Sequence, residues 1–122
     1  MSARVVVADD SELMRSLIQL ALEPVGVEIA VAVDGDEALE VVREHRPEVL
    51  IVDASMPGLT GYEVCEALRA DADGPRPYVL LLTADVRDSE RQRAEEAGVD
   101  EFVGKPFSPL ALAARVRELL GV

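Results

Sequence analysis

The stretch Val49-Leu50-Ile51-Val52-Asp53, followed within a few residues by Pro57 and Gly58, decides the fold. Four apolar residues, mostly β-branched and bounded by turn formers, read as a buried strand. The strand ends on an acid. Open α/β sheets bind ligands in the crevice at the carboxyl ends of their strands, so Asp53 stands where chemistry is done. It is the candidate reactive group.

Outward from this strand, the pattern alternates. Arg4 to Ala8 reads as a first strand that closes on Asp9-Asp10. Ser11 caps a helix in which Leu13, Met14, Leu17, Ile18, Ala21 and Leu22 recur at helical spacing up to Pro24. Val27 to Val33 is a second strand, and Asp34 with Glu37 three residues on opens a helix that Pro47 stops after Arg46. Beyond Asp53, Thr60 and Glu63 repeat that capping-box spacing and start a helix with Val64, Cys65 and Leu68 on one face. Pro77 to Thr83 holds the fourth strand. The next helix, about Arg87 to Ala97, offers little beyond Val86, Ala94 and Ala97 to bury, and is expected to be the least firmly anchored element. Val99 to Val103 is a fifth strand, and Ser108-Pro109 begins a last helix carrying Leu112, Val116 and Leu119.

Five strands alternating with five helices predict an α/β fold, with a parallel sheet covered on both faces by right-handed crossovers. The 122 residues read as a single domain, 1–122, long enough for one core covering roughly two-thirds of the unfolded surface. No repeat, linker or output domain is read from them.

Composition narrows the function. No apolar run has the length of a membrane span, and Met1-Ser2-Ala3-Arg4 leads into a strand without a signal-peptide core, which points to the cytoplasm and away from membranes. A formal charge of −12 disfavours direct contact with nucleic acid or anionic lipid, because phosphate binding relies on Lys and Arg to displace counterions. The single cysteine, Cys65, has no internal disulfide partner and reads as a buried structural thiol. His45, at a helix end, reads as a surface residue. Of the twelve basic residues only Lys105 is a lysine. Either a mobile point charge is needed there or the composition is arginine-biased, and composition alone leaves the two even.

Four strand ends then converge. Asp9 and Asp10 follow the first strand, Asp53 ends the third, Thr83 ends the fourth and Lys105 follows the fifth. Three carboxylates in one crevice repel unless a cation intervenes, and oxygen ligands without His or Cys favour Mg²⁺, or Mn²⁺ in its place, over zinc. An anionic nucleophile, a metal and hydroxyl and ammonium donors suit phosphoryl transfer. Taken singly, these residues would be helix caps, turn acids, a strand-end hydroxyl and a solvated charge. Their joint placement favours function.

The chain resembles a response-regulator receiver domain over essentially its whole length. The resemblance is carried by Val7-Ala8-Asp9-Asp10 with Met14-Arg15, Asp53-Ala54-Ser55-Met56-Pro57-Gly58 leading to Gly61, Leu82-Thr83-Ala84, and Lys105-Pro106-Phe107. It implies a flavodoxin-like sheet of order 2-1-3-4-5 and a cis Lys105-Pro106 bond. It further implies Asp53 as phosphoacceptor, and Mg²⁺ held by Asp9, Asp10, Asp53 and the Ser55 backbone carbonyl. Lys105 and Thr83 would contact the phosphoryl group, and Phe102 would be the switch aromatic, without the hydroxyl of the commoner Tyr. The implied donors are a histidine kinase, a histidine phosphotransfer protein or a small acyl phosphate. The implied output is a downstream protein or fused domain meeting the fourth helix, fifth strand and fifth helix, a face through which the family also forms homodimers. Such a switch is not a turnover enzyme. Asp85, two residues past Thr83, is a position expected to tune phosphoryl lifetime.

Other classes fit less well. A haloacid-dehalogenase-type phosphatase expects a second acid two residues after its nucleophile, whereas Asp9-Asp10-Ser11-Glu12 offers adjacent acids. A flavodoxin-like nucleotide or flavin binder needs backbone donors after the first strand, where two carboxylates would repel phosphate. A pure binding module would have no need of Asp9, Asp10, Asp53, Thr83 and Lys105 together.

Overall fold

The computed structural model describes residues 4–122; Met1, Ser2 and Ala3 lie outside them. Its elements are β1 (Val5–Ala8), α1 (Glu12–Leu22), β2 (Ile29–Ala32), α2 (Gly35–His45), β3 (Val49–Asp53), α3 (Gly61–Ala70), β4 (Tyr78–Thr83), α4 (Asp88–Ala97), β5 (Glu101–Gly104) and α5 (Pro109–Leu120), with a 3-10 turn at Glu23–Val25. All strand pairs are parallel and the order is β2-β1-β3-β4-β5. The expected α/β sheet of order 2-1-3-4-5 is the one observed.

Alternation along the strands divides the core. Val5, Val7, Val49, Ile51, Leu80 and Leu82 pack with Ile18 and Leu22 of α1 and Leu112, Val116 and Leu120 of α5. Val6, Ala8, Leu50, Val52, Val79 and Leu81 pack on the other face with Val42 of α2, Val64, Cys65 and Leu68 of α3, and Ala94 and Ala97 of α4. A side-chain period of two in strands buried on both faces requires this split. Ser11, Asp34, Thr60 and Ser108 each accept a backbone N–H as N-caps, and Thr60 with Glu63 completes a capping box.

Some expectations shift. β5 starts at Glu101, not Val99, because the Val99 N–H is taken by the Ala94 carbonyl as α4 closes at Gly98. β2 is shorter than expected, and at its C-terminal end the Val33 N–H donates to the Glu37 side chain instead of continuing the ladder. On α1 only Ile18 and Leu22 are buried; Leu13 is 79% exposed and Leu17 39%. His45 is half-buried rather than on the surface. Cys65 is fully buried, and burial pushes its thiol up to about 11. Of the three apolar residues expected to anchor α4, Ala94 and Ala97 are buried while Val86 is 48% exposed.

Candidate functional site

The strand register sets the site. Ala8 pairs with Val52, Asp53 with Leu82 and Thr83 with Gly104, so Asp9, Asp53, Thr83 and Lys105 emerge along one edge of the sheet. The edge is tightened by short backbone bonds from Ala54 N–H to Leu82 O (2.8 Å) and from Lys105 N–H to Thr83 O (2.7 Å). Gly61 lets α3 begin against this edge, since a Cβ there would stand 2.4 Å from the Asp53 carbonyl oxygen. The Lys105-Pro106 bond is cis, as the resemblance implied.

Asp53 is buried, and the Lys105 ammonium forms an ion pair with its Oδ1. The Ser55 N–H donates to Oδ2 at 3.3 Å. Both oxygens are thereby oriented, and the charge is compensated where water is scarce.

Asp9 and Asp10 play different structural parts. Asp10 is exposed, whereas Asp9 is buried with Oδ1 accepting from Ser11 N–H (2.9 Å) and Oδ2 buried without a hydrogen-bond partner. Burial raises the Asp9 carboxyl above the usual aspartate range, and the neighbouring Asp53 and Asp10 charges add to this against the opposing pull of Ser11 N–H and Lys105. One carboxylate oxygen from each of Asp9, Asp10 and Asp53 lies within 4.8 Å of the others. An orphaned buried oxygen within a three-carboxylate cluster fits a hard divalent cation.

Thr83 is buried, but its hydroxyl is engaged locally: it accepts from Asp85 N–H at 3.1 Å and donates to Asp85 O at 3.5 Å. The Asp85 carboxylate points outward to Arg87, whose Nη2 lies 2.5 Å away, and this pairing holds the acid below its usual range. Phe102 lies one step down the same sheet face as Thr83, since it pairs with Leu81 while Gly104 pairs with Thr83.

Sequence reasoning missed two supports of the site. Arg15, quoted only as part of a motif, donates from Nη1 to the Asp9 backbone carbonyl at 2.8 Å. Arg91 stacks over the Phe102 ring, 4.8 Å from its centroid. An exposed arginine in a polar helix gave no signal for this.

Comparison with known proteins agrees with the geometry. The profile of the response regulator receiver domain matches residues 5–117. The chain belongs to the response-regulator receiver family. This receiver is 38% identical over 117 residues to a probable transcriptional regulator ycf27 of Cyanophora paradoxa, covering 96% of this chain and 48% of that protein. It is also 38% identical over 120 residues to the DNA-binding response regulator MtrA of Mycolicibacterium smegmatis, covering 98% and 51%. The chain thus spans about half the length of these curated relatives. Among solved structures, the Vibrio cholerae chemotaxis protein CheY4 superimposes with a TM-score of 0.86 at 30% identity, covering 98% of this chain and 99% of that one. A putative response regulator from Chloroflexus aurantiacus gives 0.87 at 30% identity with full coverage of both chains. The receiver is a signalling domain of two-component systems. Among the described residues no helix is long and apolar enough to cross a membrane.

Proposed function

We propose that this receiver is a switch in which Asp53 accepts a phosphoryl group from the phosphohistidine of a histidine kinase or histidine phosphotransfer protein, or from a small acyl phosphate. The observation that carries this is the buried Asp53 carboxylate, paired with Lys105 on a rim shared with Asp9 and Asp10.

An Asp53 oxygen attacks phosphorus, and the P–N bond of phosphohistidine or the P–O bond of the acyl phosphate breaks. The electron pair leaves with the imidazole, which takes a proton from solvent, or with the carboxylate, and Asp53 becomes a mixed anhydride. Lys105 follows the negative charge onto the phosphoryl oxygens, and Thr83 gives up its turn with Asp85 to donate a hydrogen bond. Asp9, Asp10, Asp53 and the Ser55 backbone carbonyl would hold Mg²⁺, or Mn²⁺ in its place, which supplies the positive charge that lets an anionic group approach three acids. Water later cleaves the acyl–phosphate linkage and restores the carboxylate, so the protein assists its own reset without being a turnover enzyme.

Phe102 responds to Thr83 by packing, because it has no hydroxyl. The output is a change of the α4-β5-α5 face, read by a downstream protein, a fused domain or a second copy. Any contact with DNA is assigned to a segment or partner other than this acidic unit. The cellular setting is the cytoplasm, where kinase and receiver meet. Incubation with acetyl phosphate and Mg²⁺ followed by intact mass is expected to give one phosphoryl increment in the native protein and none in Asp53→Ala. An equal increment in that variant would refute the assignment.

A further inference from the structure

We propose that Arg91 is a positioning residue for the switch: its guanidinium, stacked on Phe102, holds the ring in the rotamer of the unphosphorylated state and makes release of α4 depend on movement of that ring. The inference rests on the switch reading above and adds a residue to it.

Arg91 is exposed on a helix that also carries Asp88, Glu90, Glu95 and Glu96. Asp88, three residues back, and Glu95, four residues on, are both within helical ion-pair reach of it. Yet among the described residues the Arg91 side chain makes no ion pair and no hydrogen bond, and its one specific contact is the Phe102 ring at 4.8 Å. An arginine that bypasses nearby carboxylates for an aromatic face is placed by the fold of α4 over β5 and not by local charge. Phe102 has no polar atom, so apolar packing and this cation are what hold its ring.

A second contact of the same kind sets the contrast. Two residues along, Arg93 stacks over Tyr62 at 4.8 Å, and the Tyr62 hydroxyl donates to Glu90 at 2.7 Å. Tyr62 is buried in α3, and its phenol is pushed up to about 12 by burial and by Glu90, so it stays a neutral donor. Phe102 instead is half-buried on an edge strand paired on one side. The next β5 residue on its sheet face is Gly104, the register partner of Thr83, and the space above Gly104 is taken by Val86, whose Cγ1 would lie 2.6 Å from a Cβ built there. The α4 helix is therefore pinned to a fixed ring at Tyr62, buried and hydrogen-bonded, and to a less buried one at Phe102, whose turn toward Thr83 requires exposed Val86 to give way. Turning Phe102 toward Thr83 gives up the Arg91 stack while the Tyr62 contacts persist.

A cation over a ring at an exposed site biases a two-state equilibrium by about two- to fivefold. A ligand that selects the other state should gain affinity by the same factor when the stack is removed. The chain contains only two phenylalanines, Phe102 and Phe107, so fluorophenylalanine labelling gives a simple ¹⁹F spectrum. Beryllofluoride with Mg²⁺ is the probe, and R91Q, R91K and R93Q are the variants. In R91Q the Phe102 resonance is expected to move part-way toward its beryllofluoride-bound position before any ligand is added, with Phe107 unmoved. Half-saturation by beryllofluoride should fall about two- to fivefold. R91K, which keeps a cation, and R93Q, which touches only the fixed ring, should retain the native Phe102 position. A native protein that responds to beryllofluoride while R91Q shows neither change overturns the latch alone. R91K behaving as R91Q overturns the cation–ring attraction as its cause. A native protein with no beryllofluoride response overturns the phosphoacceptor reading, and the latch with it.

Discussion

β3 carries the proposed phosphoacceptor and β5 the proposed switch aromatic, but the fold treats the two strands differently. All five residues of β3 are buried and the strand is paired on both sides, whereas all four of β5 are half-buried and paired on one side. The helices that follow repeat the contrast: α3 buries Val64, Cys65 and Leu68, while α4 buries only Ala94 and Ala97 and adds polar and ring contacts. A nucleophile needs a fixed position, and a reporter needs two positions of similar energy. On the proposed reading, dense apolar packing around β3 serves the first need and the half-buried edge strand β5 the second.

The sharpest way to break this comparison is to weaken each strand in turn. Leu50→Ala in β3 should cost about 2–5 kcal/mol in urea unfolding, whereas Val103→Ala in half-buried β5 should cost about 1 kcal/mol. Equal losses would mean that the two strands are equally anchored. Next in size is Gly61→Ala, whose Cβ meets the Asp53 carbonyl oxygen; a loss of about 1–3 kcal/mol is expected, together with slower uptake of phosphoryl groups from acetyl phosphate as the rim shifts.

Asp9 gives a pH-dependent test of the fixed half. Its carboxyl is raised in the folded protein, so the metal-free fold favours the protonated form, and Asp9 withdraws stability as pH rises from the unfolded aspartate range through the raised folded value. Asp9→Asn should remove that slope and raise metal-free stability at neutral pH by about 1–2 kcal/mol, while calorimetric titration shows Mg²⁺ binding lost. In the native protein Mg²⁺ affinity should fall as pH drops through the same range, because only the ionised acid is a ligand. The smallest effect is at the seam between the two halves, where Tyr62 of α3 holds Glu90 of α4. Tyr62→Phe deletes the bond to Glu90 and should cost about 1 kcal/mol, read as faster amide exchange across α4 with β3 unchanged.

How much of this was legible in the sequence depends on what each residue's neighbours are. Val49 to Asp53 could be read because a strand buried on both faces has no polar face to confuse it, and Asp9, Asp10, Asp53, Thr83 and Lys105 because strand ends in a parallel sheet share one edge. Periodicity marked Leu13 and Leu17 as a continuous stripe with Ile18 and Leu22, but spacing counts apolar residues without saying which of them a sheet covers. Asp9 and Asp10 differ by a single step along the chain, which turns one into the interior and leaves the other in water. The Arg91–Phe102 stack depends on how α4 crosses β5, a tertiary quantity with no local pattern.

The thiol of Cys65 lies under α3 with its ionisation suppressed, and it is the chain's sole sulfhydryl. Towards maleimides and similar alkylating reagents the folded protein should therefore behave as though cysteine-free. A cysteine placed at exposed Glu95 or Glu96 would take up a fluorophore selectively and report from α4, while slow modification of Cys65 would serve as a built-in clock for opening of the α3 core.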